Sequence, residues 1–244
     1  MSSVSPNRVA IMTGAAGSFA SELVVLAARS GWETVLVDKD RRVLEKLYDR
    51  VVNLGGVEPS IHALDLAAID PRQCQEMVMA LEKGPGRLDA LIHCAASFDG
   101  LQPFDQIAPH DWLRHMQVNL NAPWLLSVTC LPLLRQSPQA SLYFLGEDLD
   151  KVAGAFWGAY GVGKHAVDAM ARQLAAELAN TNIQVLSLNP GPMRSPLRAR
   201  VYHAENPQLC EDAAIAATKV LHLMERKLHA PATRVNLEAL QLPT

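Results

Sequence analysis

Three groups of residues in this sequence have types and spacing that could do chemistry. The first is Thr13-Gly14-Ala15-Ala16-Gly17-Ser18-Phe19-Ala20, directly after an apolar run. Small residues there let the chain turn sharply and let the backbone approach a pyrophosphate, with the following helix packed close. Such a helix also aims free N–H groups and the positive end of its dipole at the phosphates. The second group is a pair of acids. Asp38 ends the next apolar run, where a carboxylate can accept from a ribose 2′-OH or cap the helix that follows. Asp65 follows a third such run and can accept from an adenine amino group or cap a turn. The third group is Tyr160 and Lys164, four apart, a spacing that puts both side chains on one face of a helix.

Strand-like and helix-like stretches alternate along the chain and would position these residues. Strands are expected at Arg8–Thr13, Thr34–Asp38, Ser60–Leu64, Leu88–Cys94, Ser141–Leu145, Ile183–Leu188 and Thr233–Leu237. Helices are expected at Ser18–Ser30, Asp40–Asn53, Pro71–Lys83, Phe156–Ala179 and Glu211–Arg226. A longer helical region, Pro109–Gln136, should kink or break at Pro123 and Pro132. Gly191–Pro207, rich in Arg and Pro, reads as a loop or lid. The order implies a parallel, doubly wound α/β sheet of about seven strands covered on both faces. Its strands lack strict alternation, as fits burial on two sides. Residues 1–244 are expected to form one dinucleotide-binding domain.

Bulk properties exclude several alternatives. A net charge of −3 offers no basic field for nucleic acid or an anionic membrane. Apolar runs are interrupted before they reach bilayer length. Cys74, Cys94, Cys130 and Cys210 are widely spaced and read as free thiols in a reducing cytoplasm. The eight histidines form no ligand motif, so no metal site is expected. Arg194, Arg198 and Arg200 could meet an anionic substrate or form a solvated face. Trp112, Trp124 and the central helix could pack in the core or form a subunit interface.

With these motifs in place, the sequence resembles the short-chain dehydrogenase/reductase family over nearly its whole length. Thr13, Gly14 and Gly17 match the family's glycine turn, with Ala20 at its last Gly. Cys94-Ala95-Ala96 stands for its N-A-G, Pro190-Gly191 for its P-G, and Ser195 for a Thr that contacts the nicotinamide amide. Phe156–Tyr160 and Asn189–Ser195 look most like a bacterial branch whose substrates are unassigned.

The resemblance implies an NAD(P)-dependent oxidoreductase acting on a small alcohol or carbonyl compound, assembled as a homodimer or homotetramer. NAD is expected ahead of NADP because Asp38 would repel a 2′-phosphate, although Lys39, Arg41 and Arg42 follow closely. The cofactor is expected along Gly14, Gly17, Ser18, Phe19, Asp38, Asp65, Leu66, Cys94–Ala96, Tyr160, Lys164, Pro190, Gly191, Met193 and Ser195.

Tyr160 is implied as the acid/base, and Lys164 as the cation that lowers its pKa and holds the nicotinamide ribose. Asn119, flanked by Val118 and Leu120, matches the family's Asn, which distorts its helix and holds a water relaying protons to the Lys. One position departs sharply. The family's Ser lies about thirteen residues before the Tyr, where this chain has Glu147, followed by Asp148. A carboxylate cannot donate to a substrate oxygen, so ordinary carbonyl reduction should be impaired. Cofactor binding without strong catalysis, as a sensor or assembly partner, is the alternative.

Overall fold

The computed structural model describes residues 8–226 and 233–241. In chain order the elements are β1 (Arg8–Thr13), α1 (Ser18–Arg29), β2 (Trp32–Asp38), α2 (Arg41–Asn53), β3 (Ser60–Ala63), α3 (Pro71–Lys83) and β4 (Ala90–His93). There follow α4 (Pro109–Met116), a π-helical turn (Gln117–Asn121), α5 (Ala122–Gln136), β5 (Ala140–Leu145), α6 (Leu149–Val152) and α7 (Gly158–Glu177). The remainder is β6 (Ile183–Asn189), α8 (Pro196–Val201), α9 (Ala213–Glu225) and β7 (Arg234–Asn236).

All seven strands are parallel, in the order β3-β2-β1-β4-β5-β6-β7. This is the doubly wound sheet expected from the alternation. One core packs α1, α2 and α9 against one face through residues such as Leu23, Leu44 and Val220. The other packs α3, α5 and α7 through Met77, Leu126 and Val167. Burial on both faces explains why β4 is buried at every position.

The order reverses between β1 and β4, so consecutive connections leave to opposite sides there and open a crevice at the carboxyl ends. Thr13 pairs with Val37 on one side and His93 on the other. The glycine turn, Asp38 and Cys94 are thereby brought to one rim.

Local punctuation follows elementary rules. Asp70 and Gln73 close a capping box at the start of α3, with Pro71 in its first turn. Asp40 caps α2 by accepting from the N–H groups of Arg42 and Val43, so this role does not fall to Asp38.

The central region differs from the expected kinks at proline. The helix changes at the π turn around Asn119, Pro123 lies in the first turn of α5, and Pro132 sits inside α5 without ending it. Pro123 has no N–H for the carbonyl four residues back, that of Asn119. Widening the helix by one residue there absorbs the loss. The stretch Gly191–Pro207 is not all loop, because it carries α8. A short helix, α6, precedes α7, which begins at Gly158 instead of Phe156. The final strand is shorter than expected, running Arg234–Asn236.

Candidate active site

A cleft of about 480 Å³ lies across the carboxyl ends of the strands and is lined by the glycine turn, Asp38, Asp65, Glu147, Tyr160 and Lys164. Gly14 has a left-handed φ of +63°, and a Cβ there would lie 2.6 Å from the Cα of Ala95. Glycine is therefore required for the turn to seat on the β4 loop. Thr13 Oγ1 accepts from the N–H groups of Cys94 and Ala95 and ties the same two segments together. The α1 helix starts at Gly17 with no side chain capping it. Ser18 and Phe19 follow and line the cleft. Ala20 is buried in place, so the extra methyl at the family's glycine position is accommodated.

Asp38 accepts from the Ala16 N–H at 3.2 Å and so bridges β2 to the glycine turn. Asp65 is exposed, and its side chain accepts from the Ala67 N–H at 2.9 Å, the turn-capping role. Leu66 beside it is buried and also lines the cleft. On the opposite rim, Gly191 adopts φ +75° beneath the Glu238 side chain, and its N–H donates to Asn189. Pro190 and Met193 line the same wall. Ser195 lines the cleft too, and its hydroxyl caps α8 by accepting from Arg198 N–H.

Tyr160 and Lys164 lie in the first turns of α7, 3 % and 6 % exposed. The Tyr160 hydroxyl donates to a Glu147 carboxylate oxygen at 3.1 Å. The other Glu147 oxygen accepts from the Asp148 N–H at 3.1 Å. Lys164 donates to the Leu145 carbonyl at 2.6 Å, and its ammonium stands 5.5 Å from the Tyr160 ring centre.

These partners reverse the expected effect on the phenol. Burial, then the Glu147 charge and its hydrogen bond, push the Tyr160 phenol well above its ordinary value. Burial pulls the Lys164 ammonium down, while Glu147 and Cys94 act in the opposite sense. The lowering expected from Lys164 does not prevail, because burial first, and then the charge and hydrogen bond of Glu147, act the other way.

Asn119 lies in the π turn. Its side chain exchanges two hydrogen bonds with the backbone of Ser97, at 2.7 and 2.8 Å. It also packs on Gly163, where a Cβ would lie 3.1 Å from the Asn119 Cβ. Its place in a distorted helix thus agrees with the resemblance, while its polar atoms are committed to the β4 loop. Burial raises the Cys94 thiol to about 12, which keeps it protonated.

Several residues at this end of the cleft escaped sequence reasoning. Phe98, Trp157 and Tyr160 form an aromatic cluster with ring centres 4.9–5.8 Å apart, joined by Val152. Leu197 and Val201 of α8 pack against it. The Phe156-Trp157 pair before Tyr160 was the available signal, but Phe98 comes from a distant loop. Of the arginines at the lid, Arg198 pairs with Glu205 and Arg200 donates to the Phe98 carbonyl. Arg194 donates to the Pro207 carbonyl. These bonds brace the lid. Among the described residues, no three His, Cys, Asp or Glu side chains group as metal ligands. Nor is any helix there long and apolar enough to cross a membrane.

The family model described as short chain dehydrogenase matches residues 8–206. The chain is similar to the uncharacterized oxidoreductase YciK of Escherichia coli, with 30% identity over 89% of this chain and 86% of that protein. It is 24% identical to a cyclohexanol dehydrogenase of an Acinetobacter species, over 86% and 82% of the two chains. Among solved structures, a short chain dehydrogenase from Salmonella enterica serovar Typhi superposes with a TM-score of 0.90 at 28% identity, covering 95% and 96% of the chains. Another from Shigella flexneri, complexed with NADP, gives 0.89 at 28% identity over 95% and 97%.

Proposed function

This chain belongs to the short-chain dehydrogenase family, and we propose that it is an oxidoreductase that binds a nicotinamide dinucleotide across β1 and β4 and acts on a small molecule in the same cleft. The carrying observation is that one cleft is lined by the uncapped start of α1, Asp38, Tyr160 and Lys164.

The cofactor fits the residues present. The helix start at Gly17 and the Gly14 turn suit a pyrophosphate, with Ser18 and Phe19 supplying backbone N–H groups. Asp38 suits a ribose hydroxyl, and Asp65 with Leu66 suits the adenine. Cys94, Ala95 and Ala96 form the floor. Pro190, Gly191, Met193 and Ser195 suit the nicotinamide end. When bound, the cofactor supplies or accepts hydride. Lys164 then holds the ribose, and Tyr160 and Glu147 meet the reacting group of the substrate. Asn119 fixes the Ser97 backbone beside them.

We assign NAD(H) over NADP(H) from Asp38, whose carboxylate would oppose a 2′-phosphate. The NADP held by the Shigella flexneri relative is the argument for the opposite preference. Lys39 in the cleft is the cation able to support it. Titration of NADH and NADPH against wild type and Asp38→Ala decides between them. Wild type is expected to bind NADH several-fold more tightly, and the variant to lose that margin. Tighter NADPH binding by wild type overturns the preference, and binding of neither cofactor overturns the function.

A second reading, cofactor binding without turnover, is favoured by the Tyr160–Glu147 hydrogen bond. It predicts tight cofactor binding with no exchange of hydride for any substrate. We further read the whole chain as one cofactor-binding unit, cytoplasmic in keeping with its four free cysteines. Assembly as a homodimer or homotetramer is supported by Leu113 and Trp124, which stand exposed on α4 and α5.

A further inference from the structure

Glu147 is an unusual group to find against the reacting end of the cleft. Both its oxygens accept hydrogen bonds, from Tyr160 O–H and Asp148 N–H. That is the pattern of an ionised carboxylate, which has no proton to donate. Among the described residues, no Lys, Arg or His side chain lies within ion-pair distance of it. Arg234 is close in space, but its guanidinium donates to the Glu147 backbone carbonyl at 3.2 Å and turns towards Asp168. The Lys164 ammonium donates to the Leu145 carbonyl and makes no hydrogen bond to Glu147, although the two charges attract. The remaining cations of the lid are held by Glu205, by carbonyl oxygens or over the Tyr202 ring. Beside this carboxylate, which no cationic side chain contacts directly, stands the Phe98, Trp157 and Tyr160 cluster. Aromatic rings together with a carboxylate form a setting suited to an organic cation.

We propose that the substrate of this site carries a protonated nitrogen at its reacting centre, an iminium ion on the oxidised side and an amine on the reduced side. The proposal rests on the oxidoreductase reading above and names the substrate class.

The chemistry follows from charge. A neutral carbonyl becomes negative at oxygen as hydride arrives, and a carboxylate opposes that change. An iminium ion starts positive and ends neutral. Its carbon gains the hydride from the reduced nicotinamide, which is thereby oxidised. The C=N π pair becomes the nitrogen lone pair, and the nitrogen keeps the proton it brought. No oxyanion forms, and no proton need come from Tyr160, whose hydroxyl is already donating to Glu147. Glu147 binds and orients the N–H of the cation.

The test is equilibrium binding at pH 7 to the protein with and without oxidised cofactor. The probes are a panel of protonated cyclic amines, phenylpyrrolidine among them, each matched to a neutral alcohol of the same ring size. Wild type is expected to prefer amine over alcohol by tenfold or more. Glu147→Gln, which keeps size and acceptor oxygen but removes the charge, should abolish that preference. Glu147→Asp should retain part of it. The proposal is overturned if no amine on the panel binds better than its matched alcohol, including the case where nothing binds to millimolar concentration. It is also overturned if the preference survives in Glu147→Gln. Cofactor affinity, measured first, separates the two readings. Loss of cofactor binding in wild type refutes the oxidoreductase assignment, whereas intact cofactor binding without amine preference refutes only the substrate class.

Discussion

Replacing Glu147 with glutamine should bring the Tyr160 phenol down towards its ordinary titration range. The two groups are 3.1 Å apart. A tyrosinate and a carboxylate at that distance repel by roughly 5 kcal/mol at an effective dielectric constant of about 20, and by roughly 1 kcal/mol in bulk water. Glu147 is half-buried at the cleft wall, so a value between these limits, about 2–3 kcal/mol, is appropriate. Removing that repulsion shifts the phenol titration downward. Burial, the largest cause of the upward shift, remains in the variant, so the phenol should still titrate above a free tyrosine. The assay is the rise of tyrosinate absorbance with pH, with Tyr160→Phe used to identify the relevant transition. Glu147→Ser extends the experiment to chemistry, because a serine hydroxyl can donate to a substrate oxygen. Carbonyl reduction by this variant is expected to exceed wild type by on the order of a hundredfold, with cofactor affinity little changed. Coincident phenol titrations in wild type and Glu147→Gln, or a wild type already as fast as Glu147→Ser on ketones at neutral pH, would refute the reasoning.

Two further predictions concern the scaffold. Gly14→Ala places a methyl 2.6 Å from the Ala95 backbone at a φ of +63°. It should cost about 2 kcal/mol or more, lower Tm by about 5 °C, and weaken cofactor binding; an unchanged melting curve would contradict the packing described. His93 is buried, stacks on Phe144 and contacts the Ser127 hydroxyl, and burial pulls its pKa down to about 3. The unfolded chain binds a proton near pH 6.5 that the folded ring refuses. Its contribution to stability is therefore full above that pH and is lost as pH falls towards about 3, amounting to about 3 kcal/mol by pH 4. His93→Phe keeps a ring on Phe144 and should shift the acid-unfolding midpoint to lower pH, so a midpoint that stays fixed would show that His93 is not the group responsible.

Much of this protein was legible in the chain because it depends on neighbours in sequence. The seven strands follow from apolar runs separated by helix-period stretches, and the parallel order follows from their alternation. The glycine turn is readable because a sharp strand-to-helix turn against another backbone admits only small residues. Tyr160 and Lys164 are placed together by helical geometry alone. The departure at Glu147 was visible too, by counting back from Tyr160.

What the tertiary structure decided are matters settled between distant segments. Whether Asp38 caps α2 or stays at the cleft depended on Asp40 taking the cap and on Ala16 offering its N–H. The helix break near Asn119 could not be placed from Pro123 alone, since it is coupled to the backbone of Ser97. Above all, the sequence identified a carboxylate at position 147 but not its partners. Tyr160 of α7 supplies the hydrogen bond, Arg234 of β7 holds the backbone, and Lys164 donates to Leu145 and not to Glu147. A side chain's charge state and reach depend on which donors, cations and apolar surfaces surround it, and folding brings those from several elements at once.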